Sequence, residues 1–314
     1  MTIRASAPAK IILFGEHAVV YGKPAIAVPV SSLRAHATVE PSDGGLIIAS
    51  SELDEMIPVS IDAGTVDNAL ALTARLVLEA LNAAPPNAII RVQSDIPIAS
   101  GLGSGAAVST ALARALCAVL DASLDESRLN ALIYEVEKMY HGTPSGIDNT
   151  VVVYERPVYF VRGTPIETLN IEKSFMLVIG DTGIPASTRV AVEGVRSLYD
   201  AAPERIQPLL DEIGTLVEQA RNLIEGGNPE GLGALMQRNH TLLQQLTVSS
   251  PELDRLVDAA LDAGALGAKL SGGGRGGNMI ALVTSETKTQ VENTLLGAGA
   301  ARVFTTEVGR NSRC

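Results

Sequence analysis

The sequence predicts a two-layer α+β protein with two domains. Strand-like apolar runs alternate with helical patterns along the chain, without an internal repeat. At 314 residues the chain is long enough for two hydrophobic cores, because single cores stop growing near about 250–300 residues. The linker candidate is Arg162–Lys173. We therefore expect an N-terminal domain over residues 1–170 and a C-terminal domain over 171–314.

Composition and charge exclude several classes of protein. Hydrophobic residues make up 46% of the chain and charged residues 19%, which is typical of a folded globular protein. The net charge of −11 argues against nucleic acid as a partner, since that binding needs a basic surface. Aromatic residues supply only 3% of the chain, too few for a base-stacking platform. An acidic protein can still bind ATP where its site is locally positive.

The cysteines and the apolar runs give no sign of secretion or of a membrane span. Cys117 and Cys314 do not suggest a disulfide framework or a metal site, and Cys117 fits a small core residue within an apolar helix. No signal-peptide pattern precedes Thr2, and no run reaches about 18 uninterrupted apolar residues. We expect a soluble cytoplasmic protein without a membrane partner.

Apolar runs and one leucine-rich helix form the N-terminal part of the predicted fold. Lys10–Phe14 and Ala25–Val30 are typical of buried strands joined by a polar loop. His36–Glu40 and Leu46–Ala49 resemble the two strands of a hairpin across Pro41–Gly45. The remaining elements before the first glycine-rich stretch are the helix Leu70–Leu81 and the strand Ala88–Val92.

The chain is organised around the stretch Ile96–Ala107. It carries three glycines and two serines between a short apolar segment and a helix that runs to Leu120. Glycine allows successive backbone N–H groups to point into one concavity, and the helix adds its positive N-terminal end. The result is an anion site suited to the phosphates of a nucleotide. It is not a Walker A loop, because no lysine follows Gly105, and the same pattern also occurs as a purely structural turn.

The next helix begins near Asp125 and carries an acidic residue at the edge of its apolar stripe. At about 100° per residue, one stripe collects the apolar side chains of Leu129, Leu132, Ile133, Val136 and Tyr140. Glu137 falls on the border of this stripe, and Lys138 points to the opposite side. Glu137 is therefore either a surface carboxylate or a group directed into a cleft.

A turn-rich segment, HGTPSGIDN at 141–149, follows that helix. Its glycines, proline and serine place Asp148 just ahead of a predicted strand over Val151–Tyr154. Beyond it, the sequence predicts a strand over Met176–Ile179, helices over 209–224, 253–261 and 286–297, and a closing strand over Arg302–Val308. The stretch 269–283 is a second glycine-rich turn that leads into a strand.

Three separated stretches resemble the GHMP kinase superfamily. They are PAKIILFGEHAVVYGKPAIA at 8–27, IPIASGLGSGAA at 96–107 together with EVEKMYHGTPSGIDN at 135–149, and GAKLSGGGRGGNMIAL at 267–282. They occur in the family's order across nearly the whole chain. The resemblance implies an N-terminal domain similar to the second domain of ribosomal protein S5, a ferredoxin-like C-terminal domain, and ATP in the cleft between the two.

The resemblance also implies roles for individual residues. The phosphate loop would comprise Ser100, Gly101, Leu102, Gly103, Ser104, Gly105 and Ala106. Mg²⁺ would be held by Glu137 and Ser104. Asp148 would be the catalytic base, with Lys10 beside it and beside the attacking hydroxyl. The acceptor side would be lined by Lys10, Glu16, His17, Ser145, Asp148 and Thr188.

The chemistry of these residue types supports the same roles. Phosphoryl transfer needs charge neutralisation and in-line positioning more than covalent help. A carboxylate near an alcohol can accept its proton, and an adjacent ammonium favours the negative charge on both. Other interpretations stay open: Lys10 could be a strand-end surface lysine, His17 a hydrogen-bonded loop or core histidine, and Thr188 a helix N-cap.

Two positions depart from the family's pattern. The family usually has GLGSSA, in which the second serine ligates Mg²⁺, whereas this chain has Gly105 there. We expect water to replace the missing hydroxyl, because Mg²⁺ readily retains water ligands. In the third motif Arg275 interrupts a run of small residues. It is long enough to reach a phosphate or the acceptor's carboxylate, or to pair with a surface acid.

The first motif favours an ATP-dependent kinase that phosphorylates the 5-hydroxyl of (R)-mevalonate in isoprenoid precursor synthesis. The nearest alternative is a kinase of phosphomevalonate or of the 3-hydroxyl of mevalonate. A phosphorylated acceptor would want a second basic cluster, and between Ala5 and Val30 only Lys10 and Lys23 are basic. A non-catalytic nucleotide-binding regulator is the other alternative, but it should lack part of the set Lys10, Glu137 and Asp148. The expected ligands are ATP, Mg²⁺ and mevalonate, and a homodimer is compatible with the sequence.

Overall fold

A computed structural model describes residues 3–50, 55–59, 68–97, 100–141, 144–185 and 187–309. The strands are β1 (Ile3–Phe14), β2 (Ala25–Pro41), β3 (Leu46–Ser50), β4 (Glu55–Pro58), β5 (Ala88–Ser94), β6 (Val158–Phe160), β7 (Glu167–Thr168), β8 (Phe175–Asp181), β9 (Gly267–Ser271), β10 (Asn278–Val283) and β11 (Arg302–Val308). The α-helices are α1 (Ala69–Leu81), α2 (Ser104–Val119), α3 (Glu126–His141), α4 (Ile147–Tyr154), α5 (Thr188–Ala201), α6 (Pro203–Glu225), α7 (Leu232–Gln245), α8 (Pro251–Asp262) and α9 (Lys288–Gly297). Short 3₁₀ turns cover Ala18–Tyr21 and Pro229–Gly231. This mixture of strands and helices agrees with the predicted α+β class.

Backbone packing divides the chain into two compact units. The first comprises residues 1–9, 33–97 and 103–155, and the second comprises residues 10–32, 98–102 and 156–314. Strands β1 and β2 contribute residues to both units. The predicted domain ranges, 1–170 and 171–314, stay a prediction.

In the first unit the sheet has the order β4-β3-β5-β2. Strand β5 is antiparallel to β2, where Thr38 pairs with Arg91, and parallel to β3, where Ile48 pairs with Ile90. The predicted hairpin between His36–Glu40 and Leu46–Ala49 is therefore wrong, because β5 lies between these two strands. Alternation of apolar residues indicates that a strand forms but not which strand it pairs with.

Helix α4 replaces the strand that the sequence predicts over Val151–Tyr154. Valine and tyrosine favour strands, but the helical penalty is at most about 0.7 kcal/mol per residue. Burying a valine side chain contributes about 1.5 kcal/mol or more, and Val151, Val152 and Val153 are all buried where α4 packs against α2 and α3. Burial outweighs propensity here. Gly146, with a φ of 92°, is the N-cap of this helix.

The second unit contains an antiparallel sheet with the order β11-β8-β10-β9. Helices α5–α8 lie in the chain between β8 and β9, a glycine-rich turn joins β9 to β10, and α9 precedes β11. This β-α-β-β-α-β arrangement is ferredoxin-like, as expected for the C-terminal part of the chain. Elsewhere in this unit, residues 25–27 of β2 pair with β6, and β6 pairs with β7.

The other predicted elements are present, some within longer ones. Lys10–Phe14 is the second part of β1, and Ala25–Val30 and His36–Glu40 belong to the single strand β2. Cys117 is a buried residue of α2, as expected, while Cys314 and the turn residues Gly142 and Thr143 lie outside the described residues. Among the helices within the described ranges, none is long and apolar enough to cross a bilayer.

Candidate active site

The first glycine-rich stretch forms a turn into helix α2. Gly101 and Gly103 have left-handed backbone angles, with φ of 84° and 73°, which a residue with a Cβ rarely adopts. Gly103 is the N-cap of α2, and its carbonyl accepts a hydrogen bond from the N–H of Ala107 at 3.0 Å. Ser104 and Gly105 are thus the first two residues of the helix. The first N–H groups of a helix have no acceptor within it and point toward any anion at its start.

Three predicted site residues lie at one end of a helix group in the first unit. Helices α2, α3 and α4 pack against one another. Because a short connection joins α2 to α3, we infer that these helices run antiparallel, with the start of α2 beside the end of α3. Residues 142–146 then lead from α3 into α4. Ser104 at the start of α2, Glu137 near the end of α3 and Asp148 in the first turn of α4 therefore share this end.

Glu137 faces the protein interior. Its side chain is 2% exposed, and the apolar neighbours on its stripe, such as Ile133 and Val136, are also buried. Lys138 is exposed on the opposite side, as predicted. The interpretation of Glu137 as a surface carboxylate is wrong. The predicted stripe member Tyr140 lies outside what the structure describes for side chains.

The donor atoms at this end of the helix group fit Mg²⁺. This cation prefers oxygen ligands and is usually held by one or two carboxylates together with water and substrate phosphates. Glu137 supplies a buried carboxylate, and Ser104 supplies a half-buried hydroxyl at a helix start. Gly105 adds no side-chain oxygen.

Hydrogen bonds fix the helix turn that carries Asp148. The Nδ2 atom of Asn149 donates to Asn130 of α3, at 2.7 Å to Oδ1 and at 3.3 Å to the backbone oxygen. Ser145 precedes the helix, and its hydroxyl accepts from the N–H of Ile147 at 3.3 Å. Asp148 itself is half-buried. Its carboxylate therefore sits on a backbone that is held at both neighbouring positions.

In the second unit, Lys10 lies in strand β1 with a buried side chain. The interpretation of Lys10 as a surface lysine is therefore wrong. Its backbone N–H donates to the carbonyl oxygen of Leu102 at 3.0 Å. Leu102, whose side chain is buried, and Ser100 belong to the same unit. The glycine-rich stretch is thus attached to β1 at Lys10.

His17 has a strained backbone and one engaged ring nitrogen. Its φ of 61° with ψ of −45° is a conformation that costs a non-glycine residue about 1–3 kcal/mol. The buried ring places Nε2 2.9 Å from the carbonyl oxygen of Gly273. A carbonyl only accepts, so Nε2 carries the proton and Nδ1 is a hydrogen-bond acceptor. Within the described residues Nδ1 has no hydrogen-bond partner.

The environment keeps this imidazole neutral. Burial is the main cause that lowers the pKa of His17 from 6.5 to about 4. The bond to Gly273 opposes this effect, and the nearby positive charge of Arg275 adds to it. His17 is consequently neutral near pH 7 and has an acceptor to offer at Nδ1.

Glu16 is engaged inside the second unit. Its carboxylate forms a buried ion pair with Lys269 of β9, and its Oε2 lies 3.4 Å from Nδ2 of Asn239. Lys269 also donates to the carbonyl oxygen of Leu270 at 2.7 Å. Burial lowers the pKa of Lys269, and the Glu16 carboxylate opposes that effect. These contacts tie the loop that carries His17 to strand β9.

Thr188 lies near His17 through a shared neighbour. It is the first residue of α5, and the N-cap is Ser187, whose hydroxyl accepts from the N–H of Val190 at 3.4 Å. The N-cap interpretation of Thr188 is thus wrong by one residue. A Cβ on Gly273 would lie 3.2 Å from the Thr188 hydroxyl oxygen. Thr188 and His17 therefore both lie against Gly273.

Arg275 links the second glycine-rich turn to residues 247 and 248 by hydrogen bonds. Its backbone has a φ of 61°, and its N–H donates to the Val248 carbonyl at 2.7 Å. Its Nε lies 3.4 Å from the Thr247 carbonyl oxygen. The guanidinium also covers Gly194 of α5, where a Cβ would approach Nη2 to 2.5 Å.

Sequence reasoning misses four residues that position these groups: Asn239, Lys269, Gly273 and Asn278. Lys269 carried a signal, since it is a single cation in the small and apolar strand β9 and such a residue needs a buried partner. Asn278 begins β10 and contacts Ser100, 178 positions earlier in the chain. A contact at this separation leaves no local pattern in the sequence.

Comparison with known proteins defines the class. Residues 68–156 match the GHMP kinases N terminal domain, and residues 216–300 match the GHMP kinases C terminal domain. The chain belongs to the GHMP kinase family, and its predicted two-domain GHMP kinase fold is confirmed.

Within this family the chain is similar over nearly its full length to several mevalonate kinases. The chain is 37% identical to the mevalonate kinase of Thermococcus sibiricus, over 97% of this chain and 96% of the relative. The crystal structure of L. major mevalonate kinase in complex with R-mevalonate is similar with a TM-score of 0.85 and 29% identity, covering 98% of this chain and 96% of that one. The Methanococcus jannaschii mevalonate kinase also matches at 0.85, with 27% identity over 99% and 98% of the two chains.

Proposed function

We propose that this chain transfers a phosphoryl group from ATP to the 5-hydroxyl of (R)-mevalonate, a step of isoprenoid precursor synthesis. Its full-length similarity to mevalonate kinases carries the proposal. The gathering of Ser104, Glu137 and Asp148 at one end of a helix group supplies the matching chemistry.

Asp148 acts as the general base in this proposal. It accepts the proton of the 5-hydroxyl as that oxygen attacks the terminal phosphorus, and the ADP oxygen leaves from the opposite side. The ammonium of Lys10 stabilises the negative charge that develops on the attacking oxygen and on the transferred group. Held by its neighbours, Asp148 needs no reorganisation before it accepts the proton.

The first glycine-rich stretch and the helix end bind the phosphates. The N–H groups at the start of α2 and of the preceding glycines donate to phosphate oxygens. Glu137 and Ser104 would hold Mg²⁺, which when bound neutralises phosphate charge. With Gly105 lacking a hydroxyl, water would complete the ligands of the ion.

The acceptor is recognised by neutral groups as well as by charge. His17 offers an acceptor at Nδ1, so it receives a hydrogen bond from a hydroxyl of mevalonate rather than pairing with its carboxylate. The Thr188 hydroxyl lies against the same glycine and adds a second polar contact. Ser145 and Glu16 are the further residues that we assign to the acceptor.

The lysines of the first motif favour mevalonate over phosphomevalonate as the acceptor. Of the two lysines in the first motif, Lys23 forms an ion pair with Asp211 of α6. We assign Lys10, the other lysine of that motif, to the acceptor's reacting end. Phosphomevalonate carries a phosphate that mevalonate lacks, and this phosphate would need a further cation.

The test is an ADP-release assay with a panel of alcohols: mevalonate, phosphomevalonate, homoserine and galactose. We expect turnover with mevalonate and a kcat/KM at least 100-fold lower with the others, a ratio of the size set by missing polar contacts. Phosphorus NMR of the product should show the 5-phosphate. Preference for phosphomevalonate, a 3-phosphate product or no ADP release with any alcohol would contradict the proposal.

A further inference from the structure

A buried side chain holds the glycine-rich stretch from outside. Asn278 is the first residue of β10 and is 1% exposed. Its Nδ2 donates to the backbone carbonyl of Ser100 at 2.5 Å. The orientation of the amide is fixed, because a carbonyl only accepts and would repel Oδ1. Asn278 is itself fixed, since β10 pairs with neighbours on both sides, at Asp181 and at Ser271.

A second anchor holds the same stretch two residues later. The carbonyl of Leu102 accepts from the N–H of Lys10 in β1 at 3.0 Å. Ser100, Leu102, Lys10 and Asn278 all belong to the second unit. Between the two anchored carbonyls lies Gly101, with a φ of 84°. The path of the loop is therefore set at two points by two different strands.

A hydrogen bond that fixes the carbonyl of one residue also fixes the direction of the N–H of the next residue. In a trans peptide unit the C=O of one residue and the N–H of the next point in opposite directions. Because the Ser100 carbonyl points at Asn278, the N–H of Gly101 points away from Asn278. The bond at Leu102 aims the N–H of Gly103 away from β1 in the same manner. Two backbone donors are thus oriented before any ligand arrives.

We propose that Asn278 is a positioning residue for nucleotide phosphates: by fixing the Ser100 carbonyl, it presents the Gly101 N–H to a phosphate oxygen. The assignment of this loop to phosphates rests on the proposed function. Asn278 does not touch the ligand and acts through one peptide unit. A preoriented donor binds an anion without a reorganisation cost, so its loss weakens phosphate binding specifically.

The test measures nucleotide affinity directly, without an acceptor alcohol. The variants are Asn278→Ala, which removes the amide, and Asn278→Asp, which keeps the shape but has no donor for the Ser100 carbonyl. We expect the Kd of ATP and of ADP to rise about tenfold in both variants, the effect of one lost hydrogen bond. The Kd of adenosine, which lacks phosphates, should stay unchanged. A general loss of structure would weaken all three ligands.

Thr306→Val is the matched control. Thr306 is another buried polar residue of the same sheet, on β11, and Val preserves its shape. This variant should bind ATP like the wild type. Equal weakening of ATP and adenosine by the Asn278 variants, or an unchanged ATP affinity, would overturn the proposal. Should Asn278→Asp not fold, the alanine variant decides.

A measurement on the wild-type protein is independent of any variant. In protein labelled with ¹⁵N-glycine, the Gly101 amide signal should move on addition of ATP and stay in place with adenosine. An unmoved Gly101 signal would also overturn the proposal. If the wild type binds ATP but phosphorylates no mevalonate, the proposed function fails while the role of Asn278 is still decided by these affinities.

Discussion

Asp148 combines a solvent-accessible carboxylate with a backbone that neighbouring hydrogen bonds hold in place. Replacing it by asparagine keeps the shape and removes the ability to accept a proton. We expect Asp148→Asn to lower kcat by about 10²–10⁴-fold, the usual contribution of a positioned base, with little change in the KM for ATP. Steady-state kinetics would measure both. Asp43→Asn, an exposed carboxylate in the turn before β3, is the control. Near wild-type turnover would favour direct transfer without a base.

Glu137 differs from its neighbour Glu135 in burial, and this difference defines a matched pair. Glu137 is buried on α3, whereas Glu135 is exposed and pairs with Lys138 at 2.7 Å. Glu137→Gln removes a charge from the proposed Mg²⁺ ligand, so the Mg²⁺ concentration for half-maximal rate should rise about tenfold. Glu135→Gln should leave it unchanged. An equal response of the two variants would remove Glu137 from the metal site.

Gly105 is one of the two positions at which the motifs depart from the pattern expected for the family. As the second residue of α2 it has helical angles, so a serine there meets no left-handed strain. Gly105→Ser should add a hydroxyl ligand and lower the Mg²⁺ concentration for half-maximal rate about threefold. Gly105→Ala is the control, because it also replaces glycine with a better helix former but adds no oxygen. If both variants behave alike, the glycine serves the geometry of the loop.

Helix α4 forms in a segment whose residue types favour a β-strand. A run of three valines and a tyrosine predicts a strand, yet the segment is a helix whose three valines are buried beside α2 and α3. The deciding information lies in the neighbouring helices rather than in the segment. Asp148 lies in the first turn of α4 and not ahead of a strand as predicted, because the turn residues before it indicate that an element begins but not which type it is.

Ion pairs hold the C-terminal end of α4, and their contribution to stability can be measured. Glu155, the C-cap with a φ of 49°, pairs with Arg34 at 3.0 Å and with Arg114 of α2. Arg114 also donates to the Val153 carbonyl at 2.9 Å. We expect Glu155→Gln to lower the free energy of unfolding by about 1–2 kcal/mol, because two half-buried cations lose their partner.

Urea denaturation measures this change, and Glu135→Gln again serves as the control. Its pair with Lys138 is exposed, so its loss should cost less than about 0.5 kcal/mol. A similar loss in the two variants would mean that Glu155 contributes no more than a surface charge.

For the chain as a whole, sequence patterns reveal most strands and helices but few of their partners. The ferredoxin-like arrangement of the second unit is implied by the resemblance to a known family rather than by the strand and helix patterns themselves. No pattern indicates the insertion of β5 between β2 and β3, since the two outer strands are adjacent in sequence. The candidate site divides in the same way. Residues within motifs, such as Asp148 and Glu137, could be found, whereas Asn278 and Lys269 act through partners far away in the chain.

The stability of the folded chain should depend on pH through His17. The unfolded chain binds a proton there near pH 6.5, and the folded chain only near pH 4. Between these values the unfolded state holds more protons, so stability is fully present above pH 6.5 and falls as the pH drops. The difference between 6.5 and about 4 corresponds to about 3 kcal/mol.

His17→Asn provides the comparison, since asparagine does not titrate and tolerates a φ near 61°. Denaturation curves at pH 4.5, 5.5 and 7 should show a flatter pH dependence in this variant. A residual slope is expected from His240, where burial also lowers the pKa. Identical slopes in the variant and the wild type would show that His17 is not the group responsible.

The backbone and the side chain of Lys10 have different roles. Its backbone N–H donates a hydrogen bond to the carbonyl oxygen of Leu102, while its side chain is the proposed partner of the reacting groups. Any residue except proline can make the backbone contact. A different side chain at this position would therefore change the contacts to the acceptor alcohol. The backbone hydrogen bond that holds Leu102 in the glycine-rich stretch would stay the same.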